Sequence, residues 1–295
     1  MRITDSFRFT NSQTAIQNSL ARLNSVQRQV STGKRILQPS DAPLDASLAT
    51  RLRSEQDDAV RHLRSLSDAR AWLSVQDSAL QSASTLLTRA QDLSIQSRNA
   101  SNGGNGREAI AAELDGIREQ LALVANTNYQ GQSVFGAFST QAISLTPTGA
   151  TFNGTAGAQV QRRVSDSQLI PVNSDGSKVF GFDTADDMFT VLARLASNVR
   201  AGDDTASGAD TGVLLARAGT LRDSLGDVGS RAALVDSAAS RHEDDKVTIA
   251  SRVSEIEDVD VTEAAVKLAQ ASQSYEAILA MIAKSQQVSL LNFLR

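Results

Sequence analysis

Apolar side chains recur at helical spacing along most of this chain. In residues 44–100 a leucine or alanine returns at every seventh position, and in residues 213–256 the repeat alternates intervals of four and three. Such sustained heptads predict long helices that pack along a common seam, as in coiled coils and bundles. A shorter series in residues 107–125 predicts a helix that folds back as a hairpin. The heptad positions of the first segment are Leu52, Ala59, Leu66, Leu73, Leu80 and Leu87.

Two further amphipathic helices are predicted at the ends of the chain. Residues 11–32 place apolar side chains three and four apart, and Gly33 is suited to the left-handed residue that ends a helix. Residues 261–295 repeat the pattern, and Asp260 with Glu263 resembles a capping box. Two short helices bury too little area to be stable alone, so we expect their stripes to pack together and against neighbouring molecules. The expected subunit contacts are Ile16, Leu20, Leu23, Val26, Val30, Leu268, Tyr275, Leu279, Ile282, Leu290 and Phe293.

The middle of the chain differs from its flanks. Gly, Ser and Thr increase in residues 131–182, where short apolar runs predict small strands. The dipeptides Asn153-Gly154 and Asp175-Gly176 are typical of hairpin turns. The polar, glycine-containing residues 201–212 predict a loop. The predicted strands are 133–135, 143–145, 160–164 and 178–180, and one more helix is predicted at 185–200.

Together these elements predict a mainly α fold. We expect an elongated coiled-coil rod with paired N- and C-terminal helices and a small β-rich (α+β) insert at its tip. The expected divisions are an N-terminal helix and loop (1–43), a long helix with a helical hairpin (44–130), the β-rich outer insert (131–205), a returning rod helix (206–257) and a C-terminal helix that pairs with 1–43 (258–295).

Composition removes several classes of function. The chain has no cysteine, which excludes disulfides, thiol nucleophiles and cysteine-bound metals. Of its two histidines, His242 begins a segment in the register of a zinc-protease motif, but Lys246 occupies the second ligand position. The net charge of −4, without a basic cluster, argues against nucleic acid as a partner. We therefore predict no enzyme activity, no metal and no cofactor.

The apolar segments are also too short for a bilayer. None approaches the roughly 18 to 20 apolar residues of a membrane helix. The first residues lack the apolar core of a Sec signal peptide. We therefore expect no membrane segment, and a chain that stays in the cytosol or leaves the cell by another route.

Several segments resemble the flagellin family. The likeness covers about residues 1–140 and 210–295, and the central part between them is the part that varies within the family. One departure is Ala42, where a second aspartate is common. The segments that carry the resemblance are Gln29–Ile36 with Pro39–Ser47, Leu87–Ser97, Ala125–Gly131 with Val134 and Phe135, and Ser289–Arg295.

This resemblance implies a structural role in the bacterial flagellum. The opening Met1-Arg2-Ile3 and the ending Leu290–Leu294 are more similar to family members of the hook–filament junction than to filament flagellins. The family then implies unfolded export by the flagellar type III route without a cleaved signal peptide, followed by assembly into a layer. The implied partners are further copies of the chain, hook-associated protein 1, flagellin and an export chaperone.

Two other functions stay open at this point. The first alternative is a small flagellin that forms the filament itself. The second, from another class, is a coiled-coil component of a secretion or adhesion system, which would not need paired termini.

Overall fold

The computed structural model describes the backbone of residues 2–98 and 103–293, and the side chains of residue 7, residues 10–98 and residues 103–284. In these ranges the chain is mainly helical, with small antiparallel strand pairs. It divides into two compact units: unit 1 combines the chain up to Asp58 with the chain from Asp245 onward, and unit 2 is Ala59–Asp244. The elements are α1 (Arg2–Thr32), α2 (Pro43–Ser97), α3 (Gly104–Ala125), β1 (Asn128–Tyr129), β2 (Gln132–Ser133), β3 (Ile143–Thr146), β4 (Gly149–Phe152), β5 (Gln161–Arg163), β6 (Leu169–Pro171), α4 (Gly176–Val179), α5 (Met188–Ala201), α6 (Asp204–Glu257) and α7 (Val261–Phe293).

The heptad leucines form one side of the core of unit 2. All six predicted heptad positions of α2 are buried, which confirms the seam. The four leucines from Leu66 to Leu87 lie with Trp72 in the core of unit 2, whereas Leu52 belongs to unit 1. The predicted apolar stripe of α3 is buried too, apart from the half-buried Val124, and α5 packs along α3. The first heptad positions of α6, from Leu214 to Val235, are buried or half-buried in the same core. Apolar periodicity therefore identifies the residues on which this unit is built.

α5 begins and ends as local signals direct. The Asp187 carboxylate accepts hydrogen bonds from the Phe189 and Thr190 N–H groups at 3.0 and 2.9 Å, which satisfies two free donors of the first turn. Gly202 ends the helix with a φ of 74°, a conformation that costs glycine little. The predicted helix at 185–200 is thus confirmed within a few residues.

The predicted loop at 201–212 is wrong from Asp204 onward. Asp203 follows Gly202, the C-cap of α5, and is itself the N-cap of α6. Its carboxylate accepts hydrogen bonds from the Thr205 and Ala206 N–H groups at 3.1 and 2.9 Å. The break therefore takes only two residues. Polar residues at the start of α6 pair with other helices. Asp210, for example, is buried, and its carboxylate accepts a hydrogen bond from Arg194 Nε on α5 at 2.6 Å.

The strands form three separate hairpins. The strands predicted at 143–145 and 160–164 correspond to β3 and β5, whereas the strand predicted at 133–135 shares only Ser133 with β2. β3 pairs with β4 and β5 pairs with β6, both antiparallel. Asn153-Gly154 is not a hairpin turn. It follows β4, and a Cβ at Gly154 would lie 2.9 Å from backbone atoms of Gly136, so close packing explains this glycine.

The strand predicted at 178–180 is also wrong, because this segment contains the end of the short helix α4. The Asp175 carboxylate accepts from the Ser177 N–H group at 3.0 Å and starts a helical turn instead of a hairpin. Among the helices of the described ranges, none has a stretch long and apolar enough to cross a membrane.

Candidate assembly interface

α1 and α7 pair in unit 1 along a heptad seam. The two helices run antiparallel, since the C-terminal end of α1 meets the start of α7: the Val259 N–H group donates to the Gly33 carbonyl oxygen at 2.9 Å. Burial in each helix alternates at intervals of four and three, as in an antiparallel coiled coil. The seam positions, each partly or fully buried, are Ser12, Ile16, Ser19, Leu23, Val26 and Val30 in α1, and Ala264, Leu268, Ala271, Tyr275, Ile278 and Ile282 in α7.

Seven of the predicted contact residues lie on this seam, where they are half-buried: Ile16, Leu23, Val26, Val30, Leu268, Tyr275 and Ile282. Leu20 and Leu279 lie beside the seam and are 39% and 40% exposed. Both fit a spacing of three or four, but the seam passes through Ser19 and Ile278 instead. The side chains of Leu290 and Phe293 lie outside the described residues.

Unit 1 also carries an exposed apolar set. We use this term for Phe7, Leu20, Val261, Val266, Leu279 and Met281, which are the large exposed hydrophobic residues among the described side chains of α1 and α7. Single exposed leucines are common on protein surfaces. Several on one helix pair are typical of a surface that binds a partner.

A polar clasp holds the chain together where α1 ends and α7 begins. Backbone bonds join the two connections, with Lys34 bridged to Asp258 and the Arg35 N–H group donating to the Glu257 carbonyl oxygen at 2.6 Å. Lys34 Nζ lies 2.5 Å from Asp258 Oδ1, and Arg53 Nη2 lies 2.5 Å from Glu257 Oε2. We call these five residues the clasp.

Electrostatic interactions in the clasp favour the charged forms of Lys34 and Asp258. The hydrogen bond to Asp258 raises the pKa of Lys34 above its ordinary value. The hydrogen bond from Lys34, followed by that from Ser254, lowers the pKa of Asp258 below its ordinary value. The pair therefore stays ionised over the whole neutral range.

The segment between α1 and α2 is organised around the clasp. Arg35 Nη2 lies 2.7 Å from Asp45 Oδ2 and 2.6 Å from the Ile256 carbonyl oxygen. The Asp41 carboxylate accepts from the Leu37 and Gln38 N–H groups at 3.0 and 2.9 Å, which fixes the turn before α2. One of the segments that carry the family resemblance thus forms an ordered connection between α1 and α2.

Sequence reasoning predicted the caps beside the clasp but missed the clasp. Gly33 ends α1 with a φ of 69°, as predicted. Asp260 Oδ1 accepts from the Thr262 and Glu263 N–H groups at 2.8 and 3.2 Å, so the predicted cap of α7 is confirmed. A usable signal for the clasp was present: Lys34 follows one helix break, and acidic residues precede the other.

The clasp consists of ion pairs and hydrogen bonds that hold the segment after α1 to α2 and to the end of α6. Within the described ranges, no three His, Asp or Glu side chains are grouped so that they could hold a metal ion. The clasp positions two helices, and these helices expose an apolar surface. Such a surface favours association with another protein molecule.

Two family descriptions match most of the chain. The bacterial flagellin N-terminal helical region matches residues 7–140, and the bacterial flagellin C-terminal helical region matches residues 214–294. The chain belongs to the flagellin family. The resemblance predicted from the sequence is thereby confirmed, and the matched ranges contain most of α1, the clasp and all of α7.

The named relatives include both hook-associated members and flagellins of this family. Flagellar hook-associated protein 3 of Salmonella typhimurium is 28% identical over 181 residues, which is 61% of this chain and 57% of that protein. The chain thus matches a little over half the length of this relative. FlgL of Bacillus cereus superposes with a TM-score of 0.61 at 20% identity, over 69% of this chain and 99% of that one. The flagellar junction protein FlgL of Legionella pneumophila gives 0.60 at 14% identity, over 71% and 99%. At these identities the likeness of the structures establishes the fold.

Proposed function

We propose that this flagellin-family chain forms the junction layer between the hook and the filament of the bacterial flagellum. Its relatives carry names of hook-associated and junction proteins. The observation that carries the proposal is the paired α1 and α7 with their exposed apolar set. A structural subunit needs such a surface, since burial of apolar area drives most protein association.

Assembly proceeds through the surface beside the seam. The seam holds α1 to α7 within one molecule, while Leu20 and Leu279 remain available to a neighbour. A contact between two different surfaces that repeats with a rotation and a rise builds a helical layer. In this proposal the seam residues act indirectly, because they hold the exposed apolar set in place.

The other parts of the chain follow from the same scheme. Residues 44–130 and 206–257 form the outer wall of the layer, and the 131–205 insert projects outward. The layer contacts hook-associated protein 1 on one side and flagellin on the other. Before assembly the chain is exported unfolded through the flagellar type III route, and an export chaperone binds it before secretion. The lack of cysteine suits this route, since no disulfide has to be reduced.

Electron microscopy of a host strain that lacks the gene tests this role, with the culture medium assayed for flagellin. We expect intact hooks without filaments, and flagellin monomers released into the medium. Hooks without filaments and no released flagellin would identify the chain as the filament protein. Hooks that still bear long filaments would contradict both functions.

A further inference from the structure

One position in the buried seam of α2 differs from its neighbours. Beside the heptad leucines runs a second series at intervals of seven residues, which consists of Ala69, Gln76, Ala83 and Ala90. All four residues are fully buried, with a relative exposure of 0%. Burial of an amide costs free energy unless its nitrogen and its oxygen are both hydrogen-bonded. Gln76 therefore needs partners inside unit 2 that the alanines of the same series do not need.

The partners of Gln76 belong to the segment that follows β6. In the amide orientation that gives both ends a partner, Gln76 Nε2 donates to the Val172 carbonyl oxygen at 2.9 Å. Gln76 Oε1 accepts from the Ser174 N–H group at 2.8 Å and from the Ser174 hydroxyl group at 2.5 Å. A residue of a parallel strand likewise binds one carbonyl and one N–H group two residues apart on its neighbour. The Gln76 side chain therefore satisfies this backbone as a neighbouring strand would.

α6 binds the same segment, residues 171–174, which we call the strap. Arg231 Nη1 donates to the Asn173 carbonyl oxygen at 2.7 Å and lies 3.4 Å from the Pro171 carbonyl oxygen. Arg231 Nη2 lies 2.5 Å from the Asp227 carboxylate one turn earlier on α6, which orients the guanidinium group. The Arg231 side chain is only 19% exposed. The two long helices α2 and α6 thus each contribute one polar side chain to the strap.

Hydrogen bonds inside the insert attach the strap to the β5–β6 hairpin. The Asn173 side chain accepts from the Val160 N–H group at 2.7 Å and donates to the Ala158 carbonyl oxygen at 2.9 Å. The Val172 N–H group donates to the Val160 carbonyl oxygen at 2.8 Å. Asn173 is itself buried. Because the strap and the hairpin are bonded to each other in this way, the position of the strap determines the position of the hairpin.

A further polar contact joins the hairpin to α2. Arg162 Nε on β5 donates to Asp68 Oδ2 at 2.6 Å. The Arg162 guanidinium carbon lies 5.4 Å from the centroid of the Trp72 ring, within the range of cation–π interactions. The Arg162 and Asp68 side chains are 27% and 26% exposed, so water weakens this pair. The fully buried contact of Gln76 is therefore expected to be the stronger attachment.

We propose that Gln76 and Arg231 are positioning residues, which clamp the strap to α2 and α6 and thereby fix the orientation of the β5–β6 hairpin on these two helices. In the proposed layer, residues 131–205 can still project outward, while their β5–β6 part follows the two long helices. The clamp is a property of unit 2 in a single chain. Its test uses the purified protein, so the result does not depend on the proposed junction function.

Pulsed electron–electron double resonance tests the orientation directly. The natural chain has no cysteine, so spin labels at Ser167→Cys on the β5–β6 turn and Gln120→Cys on α3 report one distance. We expect a narrow distance distribution in this labelled chain, and a broader one when Gln76→Met is added. Methionine is similar in length to glutamine, so this variant removes the hydrogen bonds and keeps most of the buried volume. A distribution that is already broad, or that Gln76→Met leaves unchanged, would overturn the proposal.

Amide hydrogen exchange in the full-length chain without labels locates the effect. In Gln76→Met, peptides from residues 158–174 should lose about tenfold or more protection, because two backbone groups lose their partners. α3 is the internal reference and should keep its protection. The matched control is Gln81→Met, since Gln81 is exposed on the same helix and donates to Asp77 one turn earlier. Equal losses in α3 and in residues 158–174 would show general destabilisation and contradict the clamp.

Arg231→Met tests the other half of the clamp at a less deeply buried side chain. The same peptides should lose about fivefold or more protection, because the Asn173 carbonyl group loses a charge-assisted hydrogen bond. Arg222→Met is the control, since Arg222 is exposed and donates to the Ala218 carbonyl oxygen within α6. Equal protection of residues 158–174 in these two variants would overturn the role of Arg231.

Discussion

Glu257 is a buried carboxylate that depends on cations from two other segments. Its side chain is 8% exposed, and Oε2 lies 2.5 Å from Arg53 Nη2 and 3.7 Å from Lys34 Nζ. A carboxylate in such a place is costly unless it is paired. The clasp therefore explains why α2, α6 and the segment after α1 meet where they do.

Removing the Arg53 charge should lower stability. We expect Arg53→Met to reduce the free energy of unfolding by about 1–2 kcal/mol, less than for a fully buried pair because Arg53 is itself half exposed. Arg51→Met is the matched control, since Arg51 pairs with Glu55 on the exposed surface and should contribute about 0.5 kcal/mol or less. Urea unfolding of both variants measures the difference, and equal losses would contradict a special role for the clasp.

The Lys34–Asp258 pair predicts a defined pH dependence. Because the pKa of Asp258 is lowered in the folded chain, its contribution is present above pH 3.8 and disappears as the pH falls below that value. Because the pKa of Lys34 is raised, its contribution is present below pH 10.5 and disappears as the pH rises further. The stability difference between the natural chain and Lys34→Met should therefore form a plateau between these limits. A difference that stays constant down to pH 2 in urea unfolding would contradict the pairing.

At this scale the sequence predicts local contacts better than distant ones. The Asp260 cap lies within three residues of its partners, so pattern alone identifies it. The clasp and the stacked rings of His62 and His242 join residues about 180 or more positions apart, and the local pattern around a residue does not identify the distant residue that it contacts. Leu20 shows the limit within a helix, because it fits two spacings and only packing decides between them.

At the scale of elements, the heptads of α2 determine the core of unit 2. Leu80 is fully buried in the seam, with relative exposure of 0%, whereas Leu123 on α3 is 74% exposed. We therefore expect two leucines to contribute very different amounts to the free energy of unfolding, according to the face of the helix on which each lies.

The seam predicts a measurable contrast between these two leucines. Leu80→Ala should cost about 2–5 kcal/mol, from lost burial and the cavity that remains. Leu123→Ala should change the free energy of unfolding by about 0.5 kcal/mol or less. Chemical unfolding of the two variants under identical conditions provides the comparison, and similar losses would show that the heptad does not form the core.

Errors at this scale have a common cause. Polar composition predicts the loop at 204–212 and a short apolar run predicts the strand at 178–180, but 204–212 is helical and residues 178–179 end a short helix. In both places an aspartate caps the first turn of the helix. Asp210 shows this directly, since its charge is matched by Arg194 on α5. Polar composition predicts a loop only where the polar groups have no helical neighbour to bind.

At the scale of the molecule, the account separates two kinds of apolar residue in the terminal helices. Seam residues such as Leu23 and Tyr275 are half-buried between α1 and α7, and we expect them to stabilise the pair. Leu20 and Leu279 are exposed, and we expect them to be covered by a neighbouring subunit. The sequence predicted amphipathic ends, but the distinction between the two groups required the structure.

The most direct test of this central claim is to complement the gene-deletion strain with Leu20→Asp/Leu279→Asp. The control is Asn18→Asp/Gln273→Asp, which adds the same charges at exposed polar positions of the same helices. Circular dichroism of the purified chains should show equal helicity. We expect the control to restore filaments, and the leucine variant to leave bare hooks with flagellin in the medium. Normal filaments with the leucine variant would contradict assembly through this surface.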